Sequence, residues 1–239
     1  MAVTRVTPCS ARHGGSTISD RVDEPPVPSA SVIIVVKDER SIRASLERLE
    51  PQCEKSAAEC IVVDASDGRL RDIAASFPWV RWIDYRQPPG RRFTIAQQRN
   101  VGVRAAGSHR IAFCDAGCEP AADWLAQLLG FLDAAPDTCC CGPIVSQDSP
   151  PLKTVNDLAN GASVRYSCTA NMGIERALFD EVGGFNENLD HGEDIDFGWG
   201  SRTSAIRCCA HAMLGCSFGG ATQSVNDGAR SCTGSPRRT

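Results

Sequence analysis

Three aspartates, Asp38, Asp64 and Asp115, each close a short apolar run, and a carboxylate pair, Glu193-Asp194, stands far down the chain. Two arginines, Arg91 and Arg92, follow Gly90 in a loop. Adjacent acids raise each other's pKa, which suits a general base near neutral pH. Arginine meets phosphate oxygens through paired hydrogen bonds. Other chemistries lack their signatures. There is no P-loop and no G-x-G-x-x-G turn, and no Ser nucleophile elbow. The thirteen cysteines include no C-x-x-C pair of the kind that marks zinc. Their number is odd and no export signal precedes them, so they read as thiols packed as small hydrophobes.

The elements that carry these residues alternate. Ser31–Val36 is a continuous β-branched run, as in a strand buried on both faces of a parallel sheet. Ser41 is placed to cap a helix with Ile42, Leu46 and Leu49 on one face, ended by Pro51. Cys60–Asp64 is a second buried strand, followed by a turn and a short helix near Leu70–Phe77. Val80–Asp84 is a third strand, and a helix spans about Thr94–Ala106 before Gly107. Arg110–Asp115 is a fourth strand; Trp124, Leu125, Leu128, Leu129 and Leu132 form a helix face; Gly142–Ser146 is a fifth strand. After a polar loop, Tyr166–Ile174 reads as an edge strand and Arg176–Val182 as a short helix closed by Gly183-Gly184. Such alternation implies βαβ units and right-handed crossovers. In these sheets ligands bind beyond the carboxyl ends of the strands, where Asp38, Asp64 and Asp115 sit.

The chain of 239 residues is 42% hydrophobic and 23% charged, with a net charge of -4. That length suits one large domain. The balance excludes a strongly basic nucleic-acid binder. The longest aliphatic run, Val32–Val36, is far short of a membrane span. Residues 1–30 are polar and Pro-rich without an apolar signal core, which predicts a disordered leader and a cytoplasmic location, the inner membrane surface included. Residues 200–239 hold one acidic residue, Asp227, and neither helical nor strand periodicity, so they read as an atypical tail, disordered or altered.

Several short segments recur in an order that resembles a known family. They are Val32-Ile33-Ile34, Glu59–Asp64, Gln98-Arg99-Asn100-Val101-Gly102, Ala106–Asp115, Asn171-Met172-Gly173, Val182–Glu187 and Gly192–Phe197. Together, over residues 31–199, they resemble the inverting family-2 glycosyltransferases of the GT-A fold. The resemblance implies an α/β, GT-A-like single domain with a mostly parallel sheet flanked by helices. It implies transfer of a sugar from a nucleotide-diphosphate sugar to an acceptor hydroxyl of a glycan, lipid or small molecule. By the same resemblance Asp64 contacts the nucleoside, and Arg99 and Asn100 match an Arg-Asn pair of the donor site. Arg91 and Arg92 are placed to meet the diphosphate. Asp115 is the first carboxylate of a D-x-D motif that holds a divalent cation, Mg²⁺ or Mn²⁺. Gly117 stands where the second Asp is usual, with Glu119 two residues on. Asp194, with Glu193 beside it, matches the catalytic base. Each residue also has a plainer job open to it: a turn carboxylate for Asp64, a helix charge for Arg99, a solvated loop for Arg91-Arg92, and a helix N-terminus for Glu193-Asp194. Gly117 and Gly200, the latter where a basic residue is usual, leave a second reading: a catalytically impaired nucleotide-sugar-binding remnant.

Overall fold

The computed structural model describes residues 26–87, 89–90, 92–142, 144–146, 163–164, 168–200, 207–210 and 216–218. Arg91, the leader before residue 26 and most of the tail lie outside the described residues. The strands are β1 (Ser31–Val36), β2 (Glu59–Asp64), β3 (Arg81–Asp84), β4 (Arg110–Cys114), β5 (Cys118–Pro120) and β6 (Thr138–Cys141). They continue with β7 (Ile144–Ser146), β8 (Ser163–Val164), β9 (Asn171–Glu175), β10 (Arg207–Ala210) and β11 (Cys216–Phe218). The helices are α1 (Ile42–Ser56), α2 (Arg71–Ser76), α3 (Ile95–Ala105), α4 (Trp124–Ala134), α5 (Arg176–Val182) and α6 (Glu193–Gly200).

Eight strands form one mixed sheet in the order β3-β2-β1-β4-β9-β6-β10-β8, and β5-β11-β7 form a small second sheet. The four strands β3, β2, β1 and β4 are mutually parallel. Their carboxyl ends therefore open on one edge, which brings Asp38, Asp64, Asp84 and Asp115 to the same side of the molecule.

Alternation along β1 explains the layers. Val32, Ile34 and Val36 pack with α1, α2 and α4 on one face, while Ile33 packs with α3, α5 and α6 on the other. Both faces are covered, so every residue of β1 is buried. Helix α3 lies close to the sheet because residue 102 is glycine; a Cβ there would fall 2.5 Å from Ile33 Cγ2. Its start is fixed by a capping box between Thr94 and Gln97.

The structure departs from the sequence expectations at four places. Pro51 does not end α1, which continues to Ser56 because Gln52 and Cys53 extend its buried face. Ser41 makes no side-chain cap; instead the Ser41 N–H donates to Glu39 Oε1 at 3.0 Å. The Cys139-Cys140-Cys141 run is a strand, with Cys140 packed on one face of the sheet and Cys139 and Cys141 on the other. The segment expected at an edge supplies β9, which is central: it pairs antiparallel with both β4 and β6.

Residues of the tail contribute β10, parallel to β6, and β11, parallel to β7. Cys53, Cys60, Cys114, Cys118 and Cys139–Cys141 are buried, and Cys168 is half-buried. Among the described residues no helix is long and apolar enough to cross a membrane.

Candidate functional site

Three consecutive residues of α3 organise the carboxyl edge. Gln98 donates from Nε2 to the carbonyls of Val36 at 3.2 Å and Val63 at 3.0 Å, tying the ends of β1 and β2 to the helix. Arg99 is almost wholly buried and donates to two carboxylates, Asp115 Oδ1 at 2.9 Å and Glu193 Oε1. Asn100 donates to the Phe185 carbonyl at 2.9 Å and to Glu187 Oε1 at 3.0 Å, and accepts from the Phe185 N–H at 3.0 Å. Successive helical residues point about 100° apart, so one short stretch reaches three neighbouring parts of the fold. Gln98 carried no role in the sequence reading. Its signal was its place in the quoted Gln-Arg-Asn run.

The expected base stands on the first turn of α6. Phe197 of that helix is buried and stacks on Phe179 at 5.4 Å between centroids, with Phe185 at 4.9 Å. This aromatic cluster anchors the helix, and the Arg99–Glu193 ion pair anchors its first residue. Burial pushes the Asp194 carboxyl above its ordinary pKa, and the neighbouring Glu193 charge adds to the rise. The Ile195 N–H, which donates to Asp194 Oδ1 at 2.8 Å, and Arg99 pull the other way. Glu193 and Asp194 thus face different surroundings, one buried against a guanidinium and the other partly open.

Asp115 lies at the end of β4 with a third of its side chain exposed. Cys168 is within electrostatic reach of Asp194, Asp115 and Arg99, and burial pushes its thiol up to about 11. Sequence alone groups this residue with the thiols packed as small hydrophobes. Its only signal is proximity to Asn171, which pairs in register with Cys114 next to Asp115.

The other expected residues take these places. Asp64 is buried at the end of β2, and its Oδ1 accepts the Ser66 N–H at 2.8 Å, an Asx turn. Arg92 is exposed and paired with Asp190 of the acidic stretch, so the arginine loop meets the loop before α6. Arg99 and Asn100 are turned into the frame rather than toward open space. Asp38, in the left-handed region at φ 60°, is held by the Arg69 guanidinium, which also holds its carboxyl below the usual range.

A cation at Asp115 has few ligands to draw on. Arg99 already occupies Asp115 Oδ1. Gly117 brings no side chain, and Glu119 faces α1, where Arg48 lies 3.4 Å away. Glu119 is thus engaged with α1. Among the described residues no three His, Cys, Asp or Glu side chains gather as a metal centre would require. These residues do not fit a divalent cation held by protein ligands alone.

Comparison with known proteins places the chain. Residues 31–208 match the family model described as glycosyl transferase family 2. A pre-mycofactocin glycosyltransferase from Mycobacterium tuberculosis is 30% identical over 121 residues, 44% of this chain and 25% of that protein. Among solved structures, S. aureus TarS 1-349 is similar with a TM-score of 0.65 and 18% identity, covering 79% of this chain and 59% of that one. The mannosyltransferase PcManGT from Pyrobaculum calidifontis, in complex with GDP-Man and Mn²⁺, gives 0.63 and 18%, covering 80% and 56%. GalNAc-T7 with UDP, GalNAc and Mn²⁺ gives 0.63 and 16%, covering 82% and 44%. The sheet and its flanking helices are thus the GT-A arrangement of these glycosyltransferases. The chain spans a quarter of the length of the curated relative it matches.

Proposed function

The chain belongs to glycosyl transferase family 2, and from that membership we propose that it moves a sugar from a nucleotide-diphosphate sugar to an acceptor hydroxyl with inversion, Asp194 acting as general base. The observation that carries this reading is the contrast at the start of α6. Glu193 is buried and ion-paired with Arg99, while Asp194 is partly open and holds its proton more tightly than an ordinary aspartate. A base must match the proton it takes, and a raised carboxyl pKa serves that end.

The acceptor oxygen forms a bond to the anomeric carbon as the bond from that carbon to the diphosphate oxygen breaks. The hydroxyl proton passes to the Asp194 carboxylate, and the nucleoside diphosphate leaves with the bonding electron pair. A single displacement of this kind inverts the anomeric centre, as the base-assisted attack of inverting glycosidases does. The donor lies along the carboxyl edge, with its nucleoside toward Asp64 and its diphosphate between Arg92 and Asp115. Cytoplasmic glycan, lipid or small-molecule hydroxyls are the acceptors.

Asp194→Asn tests the assignment. It keeps the shape and removes the basic oxygen, so transfer should fall by about 10²–10⁴-fold while nucleotide affinity stays as in the wild type. Transfer at the wild-type rate would place the base elsewhere. A second reading, a donor-binding chain with impaired catalysis, is favoured by Gly117 and by the Arg99 contact on Asp115. Saturable donor binding without turnover would decide for it.

A further inference from the structure

We propose that Arg99 is a positioning residue that locks the base helix to the donor edge through Glu193, and that Glu193 serves as its anchor and not as a second base. The inference rests on the reading of Asp194 given above and deepens it.

One guanidinium spans two elements distant in sequence. Its Nη2 holds Asp115 at the end of β4, and its Nη1 holds Glu193 at the first residue of α6. The side chains of Arg99 and Glu193 are 4% and 6% exposed, so this pair is shielded from water on both sides. A buried charge left without its partner costs far more than an exposed one. The pair therefore has one strongly favoured geometry, and planar guanidinium imposes it on both carboxylates. Asp194 follows Glu193 directly, so the place of the base relative to Asp115 is set through Arg99.

Other contacts of α6 act elsewhere along the helix. The aromatic cluster of Phe179, Phe185 and Phe197 holds the middle of the helix. At its start, the Asp196 N–H donates to the Gly192 carbonyl at 2.9 Å, a contact within the same turn. The aromatic cluster also reaches Phe113 of β4, and the Arg99 bridge adds a charged tie from the first turn of α6 to Asp115 at the end of that strand. Arg99 Cζ also sits over the Phe185 ring, 5.9 Å from its centroid. A compact ammonium cannot reproduce that two-sided bridge, whereas Gln in place of Glu193 keeps its shape and loses only the charge.

Three variants of the full chain separate the possibilities: Arg99→Lys, Glu193→Gln and Asp194→Asn. Amide hydrogen exchange over α6 is read beside donor KM and kcat. Arg99→Lys should lower kcat by about 10–100-fold, the scale of a misplaced catalytic group, with donor KM within about threefold of wild type. It should also speed exchange of the Ile195 and Asp196 amides at least tenfold while the amides of α3 keep theirs. Glu193→Gln should lose less turnover than Asp194→Asn. Unchanged kcat and unchanged exchange in Arg99→Lys would overturn the proposal. So would a loss confined to donor KM, which would make Arg99 a donor contact, and so would a Glu193→Gln loss equal to that of Asp194→Asn. If Arg99→Lys fails to fold, Glu193→Gln decides: loss of the buried charge pair should speed exchange of the Ile195 and Asp196 amides, and unchanged exchange would overturn the proposal. If the wild type transfers no sugar from any donor, the reading of the reaction falls, and the exchange result still judges the clamp.

Discussion

Restoring the second carboxylate of the D-x-D pattern, by Gly117→Asp, should destabilise the protein without creating a metal site. Gly117 has φ +86°, and a Cβ built there would lie 2.5 Å from Ser41 Oγ and 3.5 Å from Ser41 Cβ. A non-glycine residue in that left-handed region costs about 1–2 kcal/mol, with aspartate near the lower end. Turning Ser41 Oγ aside adds a rotamer cost of order 0.5–1.5 kcal/mol. The combined loss is about 1.5–3.5 kcal/mol, which for a chain of this size lowers Tm by about 3–14 °C. The Cβ vector points at Ser41 on the approach to α1, so the introduced side chain starts against that residue. Thermal melts and Mn²⁺ titrations, each with and without nucleoside diphosphate, measure both effects. The wild type should take up Mn²⁺ weakly alone and more tightly with the nucleotide, by reciprocal linkage. Ser41→Ala in the Gly117→Asp background should recover the contact part of the loss and leave the backbone part. A Gly117→Asp protein that melts with the wild type and binds Mn²⁺ tightly without nucleotide would refute the reasoning.

Other expected outcomes concern binding and titration. A nucleoside diphosphate should bind more tightly than the monophosphate, because Arg92 and any cation act on the second phosphate; equal affinities in calorimetry would contradict this. The raised carboxyl pKa of Asp194 means that the folded state holds this proton more tightly than the unfolded state. Its stabilising contribution is full below the ordinary aspartate pKa and is lost as pH rises through the raised one. Urea midpoints of wild type and Asp194→Asn should therefore diverge in favour of the variant as pH climbs above about 4, and parallel midpoints would show that Asp194 is not shifted. Cys168, with its thiol near 11, should alkylate slowly at pH 7 and faster toward pH 10. Saturating nucleotide sugar should protect it; equal labelling rates with and without donor would place the ligand elsewhere.

Much of the fold was legible in the sequence, and the reasons the rest was not are physical. The parallel strands announced themselves through β-branched runs, and the carboxyl-edge aspartates followed from strand direction alone. The Cys139–Cys141 strand did not, because cysteine packs as a hydrophobe but lacks the β-branching that marks a strand. The central place of β9 depends on hydrogen bonds to β4 and β6, which no local pattern carries. The roles of Arg99 and Asn100 depend on partners 94 and 87 residues away, Glu193 and Glu187. A residue type suited to a phosphate is equally suited to a buried carboxylate, and only the fold decides which one it meets.

The Gln98-Arg99-Asn100 run also constrains how this helix can change length. Deleting or inserting one residue between the Thr94 cap and Gln98 would turn the run by about 100° about the helix axis. Gln98 would leave the Val36 and Val63 carbonyls, Arg99 would leave two carboxylates, and Asn100 would leave the Phe185 backbone, all in one step. Substitutions in α3 can be absorbed one contact at a time. A frame-preserving single-residue insertion or deletion cannot, so length variation among relatives of this chain should fall in the loops on either side of α3 and not within its first two turns.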